Sequence, residues 1–123
     1  MNPHPWNHEF TWTDHVGPYR RVTEEQARAF DRDGFFVLPG AVDPETVAAL
    51  VAAIEPMDRE VMDFLATRPD GRFSIAGTDL VSIVLHPASR SDVCRAFCTS
   101  ELMADLGHDL IGPDVRLYWD QSV

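Results

Sequence analysis

The sequence predicts an α+β fold. Apolar stripes recur at helical spacing, and each is introduced by a residue suited to capping a helix. Short apolar or alternating runs lie between and after them, as strands would. Glycine or proline stands at most of the junctions. At 123 residues the chain is one small domain or part of a larger one.

Residues 1–22 read as an irregular arm. Pro3, Pro5, Gly17 and Pro18 interrupt any periodicity, while Trp6, Phe10, Trp12 and Tyr19 are too many aromatics for a solvated tail. The arm is expected to lie across the domain surface or against a further part of a larger fold. From Thr23 the pattern becomes regular. Thr23 and Gln26 form a capping box, Val22 and Ala27 occupy the positions of a hydrophobic staple, and Gly34 supplies a left-handed stop. These signals place a helix over residues 23–33. Residues 35–38, Phe-Phe-Val-Leu, are apolar throughout and read as a strand buried on both faces, ended by Pro39-Gly40.

Asp43 caps a second helix, with Pro44 at its first position, where a missing amide matters least. Val47, Leu50, Val51 and Ile54 make its apolar stripe, which resumes at Met57, Val61, Phe64 and Leu65. Pro56 is expected to kink or divide the helix, since its ring clashes with the carbonyl four residues earlier. Asp58, Glu60 and Asp63 read as a solvated face. Residues 68–71 are a turn. Residues 73–75 and 80–85 read as short strands with a hairpin at Gly77, although a helix over 79–85 has the same apolar count. Ser91 or Ser89 caps a helix reaching Cys98. Ser100 caps the next, with Leu102, Met103, Leu106 and Leu110 on one face and Gly112-Pro113 at its end. Residues 115–123 alternate Val115, Leu117 and Trp119 against Arg116, Tyr118 and Asp120, the pattern of a strand with one face in the core.

Composition excludes some partners. Ten basic against twenty acidic residues give a net charge of −10, which disfavours a nucleic-acid partner. No run approaches the roughly 18 apolar residues of a membrane span, and the N-terminus lacks the basic and apolar regions of a signal peptide. Cys94 and Cys98, one helical turn apart, suit a disulfide poorly. They read as reduced thiols, and the chain is expected to be cytoplasmic.

The helix ending in Asp33, the run Asp-Gly-Phe-Phe-Val-Leu-Pro-Gly over residues 33–40, the Asp43-Pro44-Glu45 helix start and the closing Arg-Leu-Tyr-Trp-Asp-Gln over residues 116–121 together resemble the opening of the phytanoyl-CoA dioxygenase family. The resemblance covers residues 22–123. It implies the N-terminal helical region and first strands of a double-stranded β-helix, a jelly-roll or cupin-like fold, in an incomplete form: residues 23–123 would be the N-terminal part of the domain. It also implies kinship with oxygenases that use Fe(II) and 2-oxoglutarate to hydroxylate a small molecule.

Such oxygenases hold iron with two histidines and one carboxylate, and His-x-Asp or His-x-Glu marks the site. None of His4, His8, His15, His86 or His108 is followed in that way. The expectation is a chain that is not catalytic alone and binds neither cofactor alone. Its partners would be a C-terminal half or a second copy. The resemblance carries over one cofactor-site residue, Gln121, which in some members lies near 2-oxoglutarate; the plain alternative is a polar residue on an edge strand.

Two metal readings are weaker than their structural alternatives. His4, His8 and Glu9 have helical spacing, but Pro3 and Pro5 oppose a helix there. Cys94 and Cys98 with His86 or His108 lack the second close pair usual for structural zinc. His108 is expected to interact with the carbonyls ending its helix. The rival functional reading is a small non-catalytic module that binds a protein partner.

Overall fold

A computed structural model describes residue 6 and residues 11–78 and 81–123 of the chain. His4, His8, Glu9 and Phe10, and the start of the expected 80–85 strand at Leu80, lie outside the described residues.

Helix α1 (Glu24–Asp33) forms as its caps dictate. The Thr23 hydroxyl accepts the Gln26 amide at 3.2 Å, and the Gln26 side chain accepts the Thr23 amide at 2.9 Å. Val22 and Ala27, at the staple positions, are both buried. Gly34 follows at φ 80°, and its amide caps the Phe30 carbonyl. Residues 35–38 then run without a ladder partner, and no backbone hydrogen bond is made by them to other described residues. The expected doubly buried strand is corrected to a one-sided extended segment. Phe36 and Leu38 are half-buried, while Phe35 and Val37 are 65% and 71% exposed.

Helix α2 (Pro44–Ala66) is capped by Asp43, whose carboxylate accepts the Thr46 amide at 2.8 Å and the Thr46 hydroxyl at 2.7 Å. It runs as one helix for 23 residues through Pro56, so of the two expected outcomes, a bend or a division into two helices, the division does not occur. Ala52 and Pro56 are both exposed, so water can serve the carbonyl that loses its amide. On the acidic face Glu60 and Asp63 are exposed, as expected, and Asp58 is half-buried. Asp58 accepts the Ser82 hydroxyl, and Glu60 pairs with Arg90, so both tie α2 to the chain that follows.

Strands β1 (Arg72–Phe73) and β2 (Ala76–Gly77) make a tight antiparallel hairpin, with Gly77 bridged onward to Val81. Phe73 meets Phe64 of α2 edge-on, with ring centres 5.6 Å apart. Among the described residues of the apolar run before His86, Val81 makes the bridge to Gly77 and Val84–Leu85 forms β3. A one-turn helix α3 (Pro87–Arg90) and helix α4 (Asp92–Cys98) follow, and Ser91 is the cap of α4. Helix α5 (Glu101–Leu110) is capped by Ser100.

Residues 115–119 lie outside any ladder, β4 (Gln121–Ser122) pairs antiparallel to β3 with Leu85 opposite Gln121, and the Asp120 carbonyl accepts the His86 amide beside that pair. The expected long strand is thus shortened to its end. Leu117 and Trp119 are 53% and 51% exposed instead of lying in the core. Gly107 lets this segment approach α5, since a Cβ there would stand 3.1 Å from the Val115 side chain.

The arm is held by charge. Asp109 of α5 is buried, and its carboxylate accepts the amides of Arg20, Arg21 and Val22 at 2.8–3.0 Å. Burial opposes its charge, yet the amides of Arg20 and Arg21, the His108 ring and the Val22 amide together hold it far below the usual carboxylate range.

The hydrophobic core is thin. Leu65 and Val84 are its largest fully buried side chains. The chain exposes 9571 Å², whereas a folded monomer of 13.8 kDa exposes about 6,600 Å².

Candidate functional site

Gln121 lies where β4 meets β3, and it is exposed. Its side-chain oxygen accepts the indole N–H of Trp119 at 2.9 Å. Two residues apart on an extended chain, the two side chains share a face. The indole also meets the His86 ring edge-on, with centres 4.5 Å apart. His86 takes φ 53°, an uncommon value for a side chain with a Cβ.

Asp120 fixes this corner. Its carboxylate accepts the Ala88 amide at 2.7 Å, its carbonyl accepts the His86 amide at 2.9 Å, and the His86 Nδ1 stands 3.5 Å from its other oxygen. Gln121, Trp119 and His86 thus form one exposed polar and aromatic face, braced from below by Asp120.

An apolar groove adjoins it. A hollow of about 570 Å³ runs between α5 and the closing segment, lined by Phe30, Met103, Leu106, Leu110, Val115 and Leu117 among others. Phe30, Leu106 and Leu110 also wall a second hollow of about 320 Å³ beside Phe35 and Phe36. Leu117 connects the groove to the Trp119 face by strand spacing.

The other candidate residues are dispersed or occupied. Cys94 is buried, and Cys98 is half-buried with its thiol pushed up by burial first, then by Asp120 and Cys94. A thiol so placed is a poor nucleophile and a poor ligand. His108 does not cap α5 as expected. It bonds the Asp109 carboxylate at 3.0 Å, and the Leu110 carbonyl is taken by His15 of the arm. Among the described residues, no three His, Cys, Asp or Glu side chains converge to hold a metal ion.

Two groupings carried no signal in the sequence. His86 and Asp120 are far apart in the chain, as are His15 and Asp31. Only the β3–β4 pairing and the docking of the arm bring them together.

No family model matches the chain, and no significant match to it was found among curated proteins or solved structures. Among the described residues, no helix is long and apolar enough to cross a membrane.

Proposed function

We propose that the chain is the N-terminal scaffold of an oxygenase resembling the phytanoyl-CoA dioxygenase family, inactive until further strands cover its apolar face. One observation supports this reading above others. The segment carrying Leu117, Tyr118, Trp119 and Gln121 has strand spacing and exposed apolar side chains, yet it pairs only at its end. Such a surface needs covering. Gln121 sits on it, with an amide that can donate to a carboxylate such as that of 2-oxoglutarate. The iron donors and the remaining oxoacid contacts would come from the covering part. The small-molecule substrate would bind there too.

The test has two arms. The chain incubated with Fe(II), ascorbate and 2-oxoglutarate should release no carbon dioxide above blank, and turnover would overturn the reading. Size-exclusion chromatography should show self-association through the open face.

The groove beside α5 favours a second reading, a non-catalytic module that takes an apolar segment of a partner protein. A sharp cooperative melt from a strictly monomeric species would favour that module. A broad melt from an associating species would favour the scaffold.

A further inference from the structure

The arm is held at two places with opposite demands on protons. Residues 20–22 are anchored on the Asp109 carboxylate, an ionised group that needs no proton. Residues 12–19 are held through His15. The His15 Nε2 stands 2.9 Å from the Leu110 carbonyl, which can only accept, so this nitrogen carries a hydrogen. The His15 Nδ1 stands 2.5 Å from the Asp31 carboxylate, so a proton must lie between them as well. The His15 amide donates to the other Asp31 oxygen at 2.9 Å, and the Trp12 indole donates to Asp31 at 3.2 Å.

Remove that one proton, and a ring lone pair faces a carboxylate at contact distance. We propose that His15 and Asp31 form a pH-operated latch: the protonated pair holds residues 12–19 across Phe30, and deprotonation releases that stretch while the Asp109 anchor stays closed. Trp12 and His15 both pack on the Phe30 ring, with centres 6.2 Å and 5.5 Å away. Phe30 walls both apolar hollows, so release uncovers their shared wall.

The surroundings favour the charged ring. Asp31 faces it from α1 and Asp14 from the arm itself. The C-terminal carbonyls of α5 lie at Leu110, and His108 and Asp109 stand across a shallow cavity. Correspondingly, the Asp31 hydrogen bond first, then the Leu110 carbonyl, raise the His15 pKa against the penalty of burial. The sign follows from that direction. Docking is complete below the ordinary histidine value of about 6.5 and is lost as pH rises through the raised value.

The test is amide hydrogen exchange of the full chain across neutral pH, corrected for intrinsic exchange, with the histidine ring titrations followed by NMR. Protection over residues 12–19 should fall by up to ~10-fold per pH unit in the window between the two values. Residues 20–22 should keep theirs. Asp31→Asn should move the loss to lower pH, and His15→Gln, a second variant should Asp31→Asn fold poorly, should abolish the pH dependence. A His15 ring that is neutral throughout the range would overturn the latch. So would release of 12–19 and 20–22 together, or an unchanged profile in both variants.

Discussion

The consequential single residue is Asp109. A buried carboxylate survives only when its charge is met, and here three consecutive backbone amides and one imidazole meet it. Asp109→Ala leaves those amides without a partner and should lower stability by about 3 kcal/mol, measured by denaturant unfolding. Asp109→Asn keeps one acceptor oxygen and should lose less. The pH dependence also has a definite sign. Because the folded-state value is depressed, Asp109 stabilises fully above the unfolded carboxylate value of about 3.9, and that stabilisation is lost as pH falls below it. The two anchors thus titrate in opposite directions: the Asp109 anchor weakens as pH falls below the carboxylate range, and the His15 latch weakens as pH rises through the raised His15 value. The sequence announced neither group. Asp109 reads as one polar residue on a helix, and His15 lies among residues with no periodicity at all.

Among the elements, the helices were legible because their signals are local. A cap and a glycine stop act within one turn of the residues that carry them, so Thr23, Asp43, Ser91 and Ser100 all appear as caps in the structure. Thr23→Ala should therefore cost about 1 kcal/mol, read as a lower unfolding midpoint. Pro56 was expected to bend α2 or divide it, and the structure excludes the division. Its side of α2 faces water, so one missing hydrogen bond did not divide the helix. Pro56→Ala should restore that bond and stabilise the chain by roughly 2 kcal/mol, visible as a raised melting temperature. The strands were harder to read because a strand is completed by a neighbour. Residues 35–38 and 115–119 have strand composition, but the described chain gives them no ladder partner.

At the scale of the whole molecule, surface dominates. The few buried side chains make each one matter, and Leu65→Ala should destabilise by about 3 kcal/mol. The exposed apolar face works in the other direction. Replacing Trp119 and Leu117 with lysine and serine should reduce self-association in size-exclusion chromatography while leaving the melting temperature nearly unchanged. A marked fall in melting temperature would mean that these side chains stabilise the isolated chain, and that the face is less open than its exposure suggests. Gln121 belongs to this scale as well: its position was legible only as a strand residue, and the company of Trp119 and His86 came from the β3–β4 pairing.

By itself the sequence determined the capped helices α1, α2, α4 and α5 and the mixed α and β character, though not the one-turn α3, because propensity, capping and turn chemistry act over a few neighbouring residues. Only the tertiary structure decided which extended segments pair, where Asp109 and His15 bind the arm, and which apolar side chains stay in water. Those outcomes depend on partners distant in the chain, and no local pattern specifies a partner.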